Sequence, residues 1–251
     1  PIRKLEIRTG VSFSLRNNKE YDYAMDVSIY PYTLLADEFG NPVSIPYQIR
    51  EAYVDSAGSG ILRDWKYRPL DEIRNADISN IQKFIRLSIG ASYSITNWLK
   101  ANLSYQYQIT SSNNRNHRSL ATYETRNLIN LYTNPFESNL ILRYPIPVGG
   151  IVDLQDTEAQ NYNLRGSLTF SKSFSRHSIN ALVGAELSDT KDGYLKSQRI
   201  YGYNDENGSI RNNLDYSHTY PLFFAANPGA SGFIPFQNGF ADLPINRFVS
   251  L

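Results

Sequence analysis

Residues 81–110 read IQKFIRLSIGASYSITNWLKANLSYQYQIT, and the fold turns on how this stretch is paired. Ile81, Ile85, Leu87, Ile89, Ala91, Tyr93 and Ile95 share one face, with Lys83 the single exception. Gln82, Phe84, Arg86, Ser88, Gly90, Ser92 and Ser94 take the other face. After Thr96 and Asn97 the code resumes: Leu99, Ala101, Leu103, Tyr105, Tyr107 and Ile109 point one way, Asn102, Ser104, Gln106, Gln108 and Thr110 the other. A period of two is the pattern of a sheet with one dry and one wet face. Strands of soluble domains run about five or six residues and a transmembrane strand needs about nine to eleven, a length both runs reach. Tyr93, Trp98, Tyr105 and Tyr107 fall toward strand ends, where an interfacial girdle places its aromatics. The stretch therefore predicts an outer-membrane β-hairpin, with a long hairpin of a soluble sandwich as the competing reading.

Working outward, the same alternation appears at 4–16, where Leu5, Ile7, Thr9, Val11, Phe13 and Leu15 oppose Lys4, Glu6, Arg8, Gly10, Ser12, Ser14 and Arg16. It returns at 162–174, with Tyr162, Leu164, Gly166, Leu168, Phe170 and Phe174 outward. It returns again at 178–188, with Ile179, Ala181, Val183, Ala185 and Leu187 outward and Leu182 off pattern. Between these runs lie three excursions, at about 17–80, 111–160 and 189–245, separated by short turns at Asn97 and Arg176. Long and short connections alternate, as they do in barrels with long extracellular loops and short periplasmic turns. Residues 20–30 read either as a short strand or as a helical turn. Residues 64–72 and 144–150 are turn-rich, and 123–131 suits a short helix. The five to six strands in view are fewer than a closed barrel requires and would leave open edges, so the expected architecture is all-β: an antiparallel transmembrane β-barrel seen as a partial arc. The chain opens on Pro1 without a leader and stops inside what reads as another strand at 246–251, which suggests an excerpt of a longer protein.

Composition narrows the function. Among 251 residues, 25 Lys and Arg balance 24 Asp and Glu, so no nucleic-acid partner is expected. The absence of Cys removes disulfides, thiolate metal sites and cysteine nucleophiles, and His117, His177 and His218 lack ligand spacing. No metal, no cofactor and no catalytic residue is expected, because nucleophile elbow, Walker loop and zinc helix motifs are all missing. Adjacent Asp71 and Glu72 read as a solvated or salt-bridged pair. No apolar run is long enough for a spanning helix, so any membrane role falls to strands. The loops hold aromatics suited to sugars or peptides, among them Trp65, Tyr67, Tyr123, Tyr144 and Tyr201, with Tyr30 and Tyr32. Packing of the loops against one another is the plainer use of each. The apolar run Leu222, Phe223 and Phe224, with Trp65 and Tyr67, suggests a surface for a partner.

Six segments together resemble the SusC/RagA family of TonB-dependent outer-membrane transporters. They are DWKYRPLDE at 64–72, RNLINLY at 126–132, YPIPVGGI at 144–151, YNLRG at 162–166, HSINALVGAE at 177–186 and NRFVS at 246–250. The resemblance implies that residues 1–251 belong to the barrel domain of such a transporter, with the plug and the barrel termini outside it. It further implies a 22-stranded barrel in the cell outer membrane, in contact with its lipid. The partners it implies are the TonB complex, reached through an upstream segment, and a SusD-like lid lipoprotein. The substrates would be oligosaccharides or peptides. A soluble or surface-attached all-β glycan-binding module is the rival function, and an adhesive barrel a third.

Overall fold

The computed structural model describes residues 4–20, 32–211, 214–223, 229–242 and 245–250. The undecided segment 20–30 falls, but for Glu20, outside the described residues, as do Tyr30 and Phe224. Alternation at 81–110 becomes β2 (Ala76–Ser94) and β3 (Leu99–Arg118), paired antiparallel so that Leu87 faces Tyr107 and Tyr93 faces Ala101. On one side β1 (Leu5–Glu20) pairs with β2, setting Val11 opposite Leu87. On the other, β4 (Gly150–Phe174) pairs with β3 and β5 (His177–Tyr203) with β4. Two short strands, β8 (Asn238–Asp242) and β9 (Ile245–Ser250), pair in turn with the upper and lower parts of β5. The result is a seven-stranded antiparallel sheet, open at both edges among the described residues.

Registers keep every outward apolar residue on one side. Val11, Phe13, Ile89, Leu103, Leu168 and Val183 all lie there, and Val11 is 74% and Val183 66% exposed. Nothing among the described residues buries this face. The opposite face is a polar lattice: Arg86 donates to Gln108 at 3.2 Å, Ser92 to Asn102 at 2.8 Å and Asn163 to Glu186 at 2.5 Å. Leu182, the residue off pattern, lies on that polar side opposite Thr169.

Aromatic residues bound the apolar band. At its lower end Trp98 meets Phe170 edge to face at 5.3 Å, and the Lys172 ammonium lies 5.2 Å from the Trp98 ring and 5.0 Å from Phe174. At its upper end Tyr107 lies 4.9 Å from Tyr162, with Lys191 5.9 Å above the latter ring. These two rows are eight residues apart along β3.

The strands do not stop at the upper row, which corrects the sequence boundaries: β1 runs on to Glu20 rather than 16, and β2 starts at Ala76 rather than 81. β3 runs on to Arg118, β4 starts at Gly150 rather than 162, and β5 continues to Tyr203. Tyr105 and Tyr107 are thus mid-strand residues at the end of an apolar band, not at the end of a strand. The β3 extension is polar on both faces, and in β4 and β5 the buried residues Ile151, Val152 and Tyr201 follow no simple alternation, so hydropathy does not mark these parts although the strands continue. One irregularity, between Glu158 and Ala159 opposite Gly193, is a β-bulge that resets which residues of β5 face outward.

Above the extensions the connecting segments fold together into a cap. The turn-rich reading of 64–72 needs correction, since α2 (Pro69–Asn75) opens within it. Pro69 occupies the first turn, where its missing N–H costs nothing, Asp71 and Glu72 sit at the positive end of the helix dipole, and Arg74 at the negative end. A further short helix, α1 (Glu51–Ser56), precedes it. The helix expected at 123–131 is α3 (Tyr123–Tyr132), followed by the single turn α4 (Leu140–Arg143), whose N-cap Asn139 accepts from Ile141 and Leu142. A two-stranded pair, β6 (Thr219–Pro221) with β7 (Ser231–Phe233), completes it. The glycines of YPIPVGGI are explained by a close approach. A Cβ on Gly149 would stand 2.7 Å from the Gly202 backbone, and Gly202 itself needs φ +65°.

Candidate functional site

The cap is built around α3, which ties the three long loops together. Toward the first loop, the Asn130 amide accepts from the Arg63 N–H at 2.7 Å and donates to the Arg63 carbonyl at 2.9 Å. The Trp65 indole donates to Asn127 at 2.7 Å, and Arg126 donates to the Lys66 carbonyl at 3.1 Å. Toward the third loop, the Phe223 N–H donates to the Leu131 carbonyl at 2.8 Å and the Tyr132 hydroxyl to the Phe233 carbonyl at 2.6 Å. Two apolar clusters sit on either side of these bonds. Ile129, Tyr132, Ile146, Ile151, Tyr201 and Ile234 form one, while Ile49, Trp65 and Tyr123 form the other, with Phe223 packed against it.

Between cap and sheet opens a cleft of about 400 Å³. Its aromatic wall is Tyr47 stacked on Tyr67 at 4.3 Å, with Tyr123 edge-on to both at 5.4 and 5.3 Å. Its floor is the upper end of β2 and β3, through Ala76, Ile78, Asn116 and Arg118. Gln48, Glu72, His117, Thr122, Glu124 and Asn127 complete the polar lining. Gln48 holds φ +55° in a three-residue turn closed by the Ile49 N–H on the Tyr47 carbonyl, a conformation that costs a non-glycine residue strain at the rim of the cleft.

Charges run in a chain from the cleft, at Glu124 and Arg118, along the strands to Asp153 and Arg199. Asp153 accepts both the Nε and Nη2 groups of Arg199, at 2.6 and 2.8 Å, and also pairs with Arg118, whose other amino group lies 2.5 Å from Glu124. The Asp153 carboxylate drives the Arg199 pKa upward, so that guanidinium stays charged. Glu72, read from sequence as part of a solvated or salt-bridged pair, is half-buried and accepts the Tyr123 N–H at 2.7 Å, which makes it the cap of α3 from another loop. Burial raises its pKa, against the opposing pull of that N–H and of Arg126. Burial also pushes the Tyr123 and Tyr201 phenols up to about 12, which keeps both neutral. In the floor of the cleft, buried His117 lies between Asp77, 3.4 Å from Nδ1, and Asp205, 2.8 Å from Nε2, and so links the strand tops to the third loop.

The five aromatics singled out from sequence fall in different places. Tyr67 and Tyr123 meet in the cleft wall. Trp65 lies behind it, 4% exposed. Tyr201 is buried in the other cluster with its hydroxyl donated to Pro235, and Tyr144 is half-buried, bonded to the Ile61 carbonyl at 2.9 Å beneath the Arg63 guanidinium. Tyr47, Gln48, Glu72, Asn116, Arg118, Glu124 and Asn127 also line the cleft and carry no local sequence signal, since each is an ordinary polar or aromatic residue until three loops converge. Stacked rings beside alternating amides, carboxylates and a guanidinium can hold a ligand with a flat apolar face and many hydrogen-bonding groups. In comparisons with known proteins, no family model matches this chain and no curated protein is similar to it.

Proposed function

We propose that this chain is part of the barrel of an outer-membrane importer that takes up oligosaccharides or peptides, energised through TonB and closed by a SusD-like lipoprotein. The observation that carries the reading is the sheet's uncovered apolar face, bounded above and below by aromatic rows that each have a lysine at the rim. Eight residues of strand rise about 27 Å, and tilting by about 40° reduces this to about 20 Å, close to the apolar belt of an outer-membrane barrel. Tyrosine, tryptophan and lysine at both edges suit the two membrane interfaces. The polar lattice on the opposite face suits a hydrated lumen, and the cleft at its upper end suits a place of first capture. The resemblance of the six sequence segments supplies the TonB link and the lid, and no feature of the sheet alone requires either.

The test uses the full-length protein in its native host. Fractionation should find it in the outer membrane, uptake of its substrate should stop when TonB is deleted, and purification in mild detergent should bring down a lipoprotein encoded nearby. A protein that stays soluble without detergent would favour the glycan-binding module instead. A membrane protein with TonB-independent uptake and no such partner would be a passive or adhesive barrel.

A further inference from the structure

We infer a binding site for a phosphorylated lipid on the outer face of the sheet, at the upper aromatic row, and its membrane setting rests on the reading above. A groove of about 270 Å³ runs there between Tyr105, Tyr162 and Leu164 on one side and Leu187 and Val249 on the other. Its walls are almost wholly apolar, which suits an acyl chain, and its upper end is not. Arg247 stands directly opposite Asp189 in the β5–β9 ladder, and Lys191 is the next outward residue along β5. The Arg247 side chain is 76% exposed although its Nε lies 3.4 Å from Asp189, whereas Asp189 is tucked in at 29%. Lys191 is likewise exposed and leans over the Tyr162 ring. Two cations therefore face outward over one partly withdrawn carboxylate. Glu158, the nearest other outward acid on β4, is occupied by the Gln160 amide at 2.9 Å.

Lys83 is a further outward cation, on β2. The one charge on the apolar face of the central hairpin is exposed between Leu15 and Ser111, one outward position above Ile85. A cation on a lipid-facing strand is costly near the midplane and inexpensive at the interface, where phosphate oxygens can take its hydrogen bonds. The cations sit on the side of the cap, so the phosphate they meet belongs to the leaflet facing the loops. In an outer membrane that leaflet carries lipid A, whose acyl chains and sugar phosphates match an apolar groove ending in Arg247 and Lys191.

Native mass spectrometry of the full-length protein in mild detergent, with bis-phosphorylated lipid A added, tests the site. The wild type should retain lipid A through detergent exchange, while Lys191→Gln with Arg247→Gln should bind it about tenfold more weakly, with Lys191→Arg unchanged. Lipid A stripped of phosphate, and phosphatidylglycerol, should be retained less well than intact lipid A. Heat-modifiable migration of the barrel in gels confirms that the variants fold. Equal retention by the double variant, or equal retention of phosphatidylglycerol, overturns the inference while leaving the membrane reading intact. A full-length protein that never enters the outer membrane overturns both.

Discussion

Sheet and cap use the same apolar residue types in opposite ways. In the sheet, Ile, Leu and Val stand on the outside and the polar groups of the other face bond to one another. In the cap, Ile129, Ile146 and Ile234 are each 1% exposed and the polar residues face outward or bridge loops. The sheet is therefore held by its backbone ladder and by whatever solvent its apolar face meets, and the cap by close packing. A solvent change that leaves one region intact should unfold the other.

The largest expected effect lies where the two regions join. Asp153→Ala leaves Arg118 and Arg199 without their shared carboxylate, and breaking such a partly buried pair costs about 3–5 kcal/mol. Limited proteolysis of the full-length protein should then release the cap loops while the strands of the sheet stay protected. Truncation on each side comes next. Ile129→Ala should cost about 2–5 kcal/mol because a packed site cannot collapse fully, whereas Leu103→Ala, on the uncovered face, opens no cavity and should cost clearly less. Equal losses in urea unfolding would erase the distinction between the regions. Charge gives a third measure: Leu103→Arg should cost about 2–4 kcal/mol of refolding free energy in lipid vesicles, and Gln106→Arg, on the polar face, much less.

The smallest effect is a matter of pH. Replacing Glu72 with Ala removes the acceptor at the start of α3 and should cost the cap about 1 kcal/mol. Because burial raises the Glu72 pKa, the folded cap holds that proton more tightly than the unfolded chain does. The resulting stabilisation is complete below the ordinary glutamate value and fades as pH rises through the raised one. Glu72→Gln keeps the acceptor and should flatten this dependence, as hydrogen exchange of the α3 amides across that range would report.

The sequence was most legible where one face of a strand is apolar. Ile85 through Tyr93 and Leu99 through Ile109 announce both their strands and their pairing, because a one-residue slip would turn the apolar set over to the polar face. The extensions were not legible. Ser111 to Arg118 reads SSNNRNHR, with no contrast between faces, yet each residue there is still paired across the ladder with one on β2 and one on β4. The site was hidden for a different reason. Trp65 and Tyr201 look like loop aromatics free to meet ligand, and only the arrival of Asn127 and of Pro235, 62 and 34 residues away, removes them from the surface. Tyr67 and Tyr123 look the same in sequence and reach the cleft.

The clasp made by α3 also limits how such a protein can diversify. Replacing the second loop alone would strip Trp65 of its indole acceptor, the Arg63 backbone of both its bonds and the third loop of its anchor at Leu131. Loops of this kind should be inherited together, and a chimera that exchanges all three should assemble where exchange of any one fails. The unit of recombination is then the whole cap, and changes in the lining of its cleft should arrive in blocks rather than loop by loop.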